Sequence, residues 1–198
     1  MPARVMVFID YQNVFLTARN LYLPGAPLAL SQINPARTAE LLVRRRRSIG
    51  RLVGTYIYRG LPDPNLEPTA RSANDRQAIA WAAQGATVIR RPLRYPRSWP
   101  NQPPQEKGVD VALAVDFVRL AAERAYDVGI LFSRDSDLLP ALETVVDLRL
   151  AHVEVASWRR SSRLEFPGTM LPWCHYLGEA DYRVVHDPTD YTKPVTGM

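Results

Sequence analysis

The sequence predicts an α/β protein with a mainly parallel central sheet and helices on both of its faces. Strand and helix patterns alternate along the chain to about residue 157, as they do where helices connect parallel strands. One strand pattern, residues 128–132, is apolar without alternation, which is typical of a strand that is covered on both faces. Right-handed crossovers then place the carboxyl ends of these strands at one edge of the sheet.

The predicted elements have recognisable starts and stops. The first strand ends at Asp10, where a helix begins. Asn34 and Pro35 start the second helix as its N-cap and first-turn proline, and Gly85 ends the third helix. The strands are predicted over residues 5–9, 52–58, 87–91, 128–132 and 152–157, and the helices over residues 11–22, 35–47, 68–84, 109–120 and 137–146.

The length and composition predict one domain over residues 1–185 and a loosely ordered tail over residues 186–198. The chain has 198 residues, of which 46% are hydrophobic and 23% charged, enough for one substantial core. A short element is expected near residues 171–177. No apolar run approaches the roughly 18 residues of a membrane span, and the first residues run into a strand without a signal-peptide pattern, so we expect a cytoplasmic protein.

Two runs of residues are interpreted as structural. The apolar residues from Val109 to Leu120 cover almost every angle of a helical period, which predicts a helix sunk in the core instead of one on the surface. The run Arg44–Arg47 closes the second helix, where positive charge suits the helix dipole, and we interpret it as a solvated helix end.

The single cysteine and the net charge limit the classes of function. Cys174 is the only cysteine, so an internal disulfide and a cysteine-rich zinc site are both excluded. The net charge of +5 favours a polyanionic partner.

Four aspartates lie where the predicted strands reach the ligand edge of the sheet. They are Asp10 after the first strand, Asp110 at the start of the central helix, and Asp135 and Asp137 after the fourth strand. Each alone is more simply explained as a helix cap. Together in one crevice their charges repel, and a bound cation or protonation relieves the repulsion. Oxygen ligands without His or Cys indicate Mg²⁺ or Mn²⁺, and such an ion can activate a water for phosphodiester hydrolysis.

Other residues are expected to surround the carboxylates and contact a substrate. Asn13 follows Asp10 by one helical turn and either orients that carboxylate or the phosphate, or is a surface amide. Arginines bind phosphates, and aromatic rings stack on unpaired bases; a solvated proline-rich loop is the alternative for residues 92–105. The candidates for substrate contact are Arg59, Arg94, Tyr95, Arg97, Trp99, Lys107, Ser133 and Arg134.

Three motifs in this order resemble the signatures of the NYN domain, a branch of the PIN-like nuclease superfamily. They are Phe8–Asn13 (FIDYQN), Lys107–Val111 (KGVDV) and Ser133–Leu138 (SRDSDL), within a region of similarity from about Arg4 to Ser157. The resemblance implies a PIN-like, Rossmann-like three-layer fold with a metal-dependent ribonuclease site. That site would contain Asp10, Asn13, Asp110, Asp135 and Asp137. Arg134 departs from the family, which commonly has glycine there.

The sequence therefore favours a Mg²⁺- or Mn²⁺-dependent endoribonuclease that acts on single-stranded or structured RNA. The alternative is an RNA-binding or regulatory module that keeps the fold without turnover, as Arg134 would indicate. An aspartyl-phosphate phosphatase would need an aspartate where Gln12 stands, and a nucleotide-binding fold would need a glycine-rich loop after the first strand, which is absent. The oligomeric state stays open, with a homodimer as one option.

Overall fold

The structure, a computed structural model, describes residues 1–165 and 172–193. Its strands are β1 (Ala3–Asp10), β2 (Gln32–Ile33), β3 (Gly50–Leu61), β4 (Ala86–Pro92), β5 (Val128–Phe132), β6 (His152–Trp158), β7 (Trp173–Leu177) and β8 (His186–Asp187). Its α-helices are α1 (Tyr11–Tyr22), α2 (Pro35–Arg44), α3 (Pro68–Ala83), α4 (Val109–Ala122), α5 (Leu139–Asp147) and α6 (Glu179–Val185). Among these residues no helix is both long and apolar enough to cross a membrane.

A six-stranded parallel sheet organises the molecule, with its strands in the order β4–β3–β1–β5–β6–β7. The chain builds the sheet outward from β1 through β3 to β4, then returns to the other side of β1 to add β5, β6 and β7. The strand order therefore reverses at β1, and the crevice at such a reversal is where open α/β sheets bind ligands. The predicted fold class, a mainly parallel sheet with helices on both faces, is confirmed.

Two hydrophobic cores cover the two faces of the sheet. Alternate residues of β1 point to opposite sides: Val7 and Ile9 belong to the core under α1, α2, α3 and α6, and Met6 and Phe8 to the core under α4 and α5. Because β1 is buried on both faces along most of its length, its position and register are fixed by packing. The residue that follows Ile9 is thereby held in place as well.

The central helix differs from its prediction as a fully buried element. Val109 and Phe117 are buried, but Val111 and Val115 are 65% and 56% exposed. α4 packs against α5 and the β1, β3 and β4 side of the sheet, and its opposite face is left to solvent. The number of apolar residues in α4 therefore does not predict how much of the helix is buried, because valines lie on its exposed face as well as on its buried face.

The arginine run at the end of α2 also differs from its interpretation as solvated. The side chain of Arg46 is 5% exposed, and its Nη2 lies 2.9 Å from Oε1 of Glu154. Glu154 also shares a hydrogen bond of 2.7 Å with Nε2 of His175. Arg44 and Arg47 are exposed, as expected. Arg46 is buried because its side chain extends from the end of α2 to Glu154 in β6.

Residues 172–193 contain the strands β7 and β8 and the helix α6. The element expected near residues 171–177 is the edge strand β7, although position 171 itself lies outside the described residues. Residues 186–193, placed by the sequence in a loose tail, contact the body of the protein. β8 pairs antiparallel with β2, and the hydroxyl of the buried Tyr191 donates to Oδ2 of Asp187 at 2.9 Å.

The substitution Arg46→Met is expected to lower the free energy of unfolding by about 3 kcal/mol or more, because it leaves the buried Glu154 without its cationic partner. Arg44→Met, in the same run but exposed, is the matched control and is expected to change it by no more than about 0.5 kcal/mol. Urea denaturation of both variants measures the difference. Equal effects of the two substitutions would show that Arg46 is an ordinary solvated helix end.

Candidate metal centre

Three carboxylates meet at the carboxyl edge of the sheet, at the point where the strand order reverses. Asp10 ends β1, Asp110 lies in the first turn of α4, and Asp135 follows β5. One oxygen atom of each lies within 4.8 Å of the corresponding atoms of the other two. Sequence reasoning placed all three at this edge, and the structure brings them together.

Asp10 is the most deeply placed of the three, with 4% of its surface exposed. Ser133, which follows the last paired residue of β5, donates a hydrogen bond of 2.8 Å from its Oγ to Oδ2 of Asp10. Burial, together with the negative charges of Glu106 and Asp110, raises the pKa of Asp10 from 3.8 to about 7, although the Ser133 hydrogen bond opposes the rise. The carboxylate is therefore held in a place that disfavours its own charge.

Asp110 and Asp135 are positioned by the turns around them. Gly108 has φ of +73°, a left-handed conformation that glycine adopts without strain, and it turns the chain into α4 two residues before Asp110. Asp135 accepts a hydrogen bond of 3.0 Å at Oδ1 from the backbone N–H of Asp137, and its own N–H donates to Oγ of Ser133 at 3.1 Å. Ser133 thus links the carboxylate of Asp10 to the backbone of Asp135.

Glu106 is a fourth acidic group at this edge, and sequence reasoning did not single it out. Burial raises its pKa, to which the charge of Asp110 adds, while the backbone N–H of Gly60 and the charge of Arg59 oppose the rise. Its Oε1 accepts a hydrogen bond from that Gly60 N–H. The sequence carried one signal for it: Glu106 is the only acidic residue between position 92 and Asp110.

A loop of the chain returns Glu106 to the sheet edge. The loop leaves β4 and is closed by paired backbone hydrogen bonds of 2.9 Å between Arg94 and Gln105. Closure at this pair brings the next residue back beside the end of β3, where it contacts Gly60. Glu106 therefore reaches the site through loop pairing, which has no periodic sequence pattern.

Asp137 and Asn13 lie close to the three carboxylates but are not part of that group. Asp137 is exposed, and its charge contributes to the raised pKa of Asp110, after burial and the charge of Asp135. Asn13 is half-buried and lines a narrow cavity with Ser133 and Arg134. A part in metal binding for Asp137, and in the reaction for both residues, stays a prediction.

Apart from Ser133, the residues predicted to contact a substrate fall into three groups. Arg94, Arg97, Lys107 and Arg134 are exposed and available to a ligand. The loop aromatics are engaged with the protein: Tyr95 and Trp99 pack edge to face at 5.1 Å. The Tyr95 hydroxyl also donates to Oε2 of Glu67 at 2.5 Å. Arg59 is partly buried below the surface, in a cleft beside the carboxylates.

The donor set fits a hard divalent cation. The three close carboxylates supply only oxygen atoms, which suits Mg²⁺-like ions. None of the ion pairs in residues 1–165 and 172–193 includes Asp10, Asp110 or Asp135. Their mutual repulsion is thus left for a ligand or a proton to relieve.

Comparison with known proteins gives one family and one similar structure. A model of the NYN domain matches residues 4–165. No curated protein matches the sequence. The chain is similar to the crystal structure of a protein of unknown function, VPA0982, from Vibrio parahaemolyticus RIMD 2210633, with a TM-score of 0.55 and 18% sequence identity over 81% of this chain and 85% of that chain. At this identity the similarity bears on the fold alone.

The raised pKa of Asp10 predicts how the stability of the metal-free protein depends on pH. Below pH 3.8 the carboxyl is protonated in both states, and no penalty arises. As pH rises from 3.8 through about 7, the unfolded state ionises first, so the native state progressively loses up to about 4 kcal/mol of stability from this group. Asp10→Asn removes the penalty and is expected to raise the melting temperature in EDTA at pH 8 but little at low pH.

A divalent cation provides the second half of this test. Mn²⁺ at pH 8 is expected to raise the melting temperature of the wild type and not that of Asp10→Asn, because the ion stabilises the ionised carboxylates. Asp147→Asn, a change at an exposed residue, is the control and should respond to Mn²⁺ as the wild type does. A destabilised Asp10→Asn at pH 8, or the same Mn²⁺ response in all three proteins, would contradict the proposed electrostatics.

Proposed function

The chain belongs to the NYN domain family, and from this membership and the carboxylate cluster we propose that it is a metal-dependent endoribonuclease. The observation that carries the proposal is the approach of Asp10, Asp110 and Asp135 to within 4.8 Å at the ligand edge of the sheet. The substrate would be single-stranded or structured RNA, and the cofactor Mg²⁺ or Mn²⁺.

The three aspartates would hold the cofactor, each through the oxygen that faces the other two. A bound cation of this kind supplies activation of a water and neutralisation of charge on the phosphoryl group. Ser133 orients the site for this task, because its hydroxyl donates to Asp10 and accepts from the N–H of Asp135. A carboxylate fixed in this way needs little reorganisation when the reaction charge develops.

Glu106 would act from the rim of the site. Its Oε1 is occupied by the Gly60 N–H, and among the described residues no partner occupies Oε2. That atom is free to accept a hydrogen bond from a water of the hydrated ion, as Mg²⁺ usually keeps several waters. Groups that orient a metal site from outside it affect metal affinity or activity by about 10- to 100-fold.

The surrounding cations would bind the backbone of the RNA. Lys107 and Arg134 are exposed on the segments that carry Asp110 and Asp135, so phosphates on either side of the cut would meet positive charge. Arg94 and Arg97 extend this surface along the loop after β4. The net charge of +5 is consistent with a polyanionic substrate.

Arg134 favours a second candidate, an RNA-binding module of the same fold without turnover. It stands next to Asp135, where the resemblance to the family leads us to expect glycine. A side chain of this size beside the carboxylates can narrow the space for a scissile phosphate while still binding RNA. The two candidates differ in whether RNA affinity depends on metal and whether the strand is cut.

The proposed activity predicts that purified protein cuts an end-labelled RNA pool in Mn²⁺ or Mg²⁺ and not in EDTA. Asp135→Asn is expected to lose cleavage by at least about 100-fold, because it removes a charged ligand of the metal. Asp147→Asn, an exposed aspartate on α5, should cut like the wild type. Wild-type protein that shifts RNA in a gel but cuts nothing supports the binding module, and Arg134→Gly is then the variant to assay.

The assigned role of Glu106 gives a separate prediction. Glu106→Gln keeps an acceptor for the Gly60 N–H but loses the charge, and cleavage is expected to fall about 10- to 100-fold, with a higher Mn²⁺ concentration needed for half-maximal activity. Glu123→Gln, which alters an exposed acid at the opposite end of α4 from Asp110, is the control. Full activity of Glu106→Gln at limiting Mn²⁺ would rule out this role.

A further inference from the structure

A cleft of about 330 Å³ lies directly beside the carboxylate cluster. It shares Glu106 with that site, and it runs between α1 and the end of β3. One wall is apolar and contains Phe15, Leu16 and Leu28, while Gln12 and Arg59 add polar groups. The volume falls at the lower end of the range for small-molecule pockets, about 300–1,000 Å³.

Arg59 is the chemical feature that distinguishes this cleft. Its guanidinium lies over the rings of Tyr11 and Trp81, at 5.0 and 5.3 Å from their centroids. Its Nη1 donates to Oε1 of Gln77 at 2.7 Å. In the described residues Nε and Nη2 make no hydrogen bond, and no carboxylate lies within ion-pair distance of the side chain. The two aromatic rings therefore support the planar guanidinium of Arg59, whose free N–H donors are available to a ligand in the cleft.

The cleft offers an acceptor as well as a donor. The carboxylate of Glu106 and the guanidinium of Arg59 both line it. A phosphate carries acceptors alone and would be repelled by Glu106. The edge of a nucleobase carries donors and acceptors together, and its faces are flat and apolar enough to lie against Phe15, Leu16 and Leu28. Proteins bind unpaired bases in this way, by stacking and by hydrogen bonds to their edges.

We propose that this cleft binds one unpaired nucleobase of the RNA strand, next to the phosphate that the carboxylate site would cut. The proposal rests on the proposed function for its substrate and adds to it a reason for single-stranded RNA, because a base held in a double helix could not enter the cleft. Because Glu106 lines the cleft and also lies at the rim of the carboxylate site, a base bound in the cleft would belong to a nucleotide close to the phosphate that is cut.

The test measures binding without turnover. The probe is a fluorescein-labelled single-stranded RNA of about ten nucleotides, together with a set in which each position in turn is abasic, and anisotropy is recorded in EDTA. One abasic position is expected to weaken binding about ten-fold, as the loss of one stacked base does elsewhere. The other positions should change affinity far less.

Two variants then connect that position to the cleft. Arg59→Lys keeps the charge but loses the planar fork, and Leu28→Asp puts a charge on an exposed part of the apolar wall. Both are expected to abolish the difference between the intact and the critical abasic RNA. Arg44→Lys, at the exposed end of α2 and outside the proposed RNA-binding surface, is the matched control and should leave that difference unchanged. Melting curves of all variants check that each is folded.

The outcomes separate this proposal from the proposed function. Abasic positions with equal effect, no binding of any RNA, or variants that weaken every RNA by the same factor would each overturn the base-binding cleft. A retained base-dependent difference in a protein that cuts no RNA with Mg²⁺ or Mn²⁺ would support the cleft and refute the nuclease. Metal-dependent cleavage, together with abasic positions that all have equal effects on binding, would support the nuclease and refute the base-binding cleft.

Discussion

The burial of one carboxylate at the end of the central strand is the constraint on which the rest of the site depends. β1 has neighbours on both sides and a core on both faces, so Asp10 cannot move out to solvent without disturbing the sheet. Its pKa of about 7 expresses the free energy that the fold spends in holding it there. The other acids approach this fixed point from the start of α4, the loop after β5 and the loop after β4.

The two ends of the parallel sheet treat buried acids in opposite ways. At the amino end, burial alone would raise the pKa of Glu154, but hydrogen bonds from His175 and Arg46 outweigh it and the pKa is lowered. At the carboxyl end, Asp10 has a neutral hydroxyl as its side-chain donor and further acids as its charged neighbours. Glu154 therefore belongs to a satisfied structural network, whereas Asp10 belongs to a set of like charges of the kind found at functional sites.

Much of this arrangement could be predicted from the sequence, because strand ends leave a clear pattern. An apolar run that stops at an aspartate, read with right-handed crossovers, places Asp10, Asp110 and Asp135 at one edge without any knowledge of distances. Features that depend on contacts between distant parts of the chain could not be predicted from local sequence patterns. Glu106 reaches the site through the closure of an irregular loop, and Arg46 is buried by a partner 108 residues away. The exposed valines of α4 show the same limit, since an apolar residue type does not reveal which face of a helix a neighbour covers.

The most direct measurement of the central claim is an anomalous difference map from crystals of the protein grown with Mn²⁺. One peak is expected between Asp10, Asp110 and Asp135, at about 2 Å from an oxygen of each, and the peak should be absent from crystals of Asp135→Asn. A map with no peak among these three carboxylates, or with Mn²⁺ only at other acidic residues, would contradict the claim that the edge of this sheet is a metal centre.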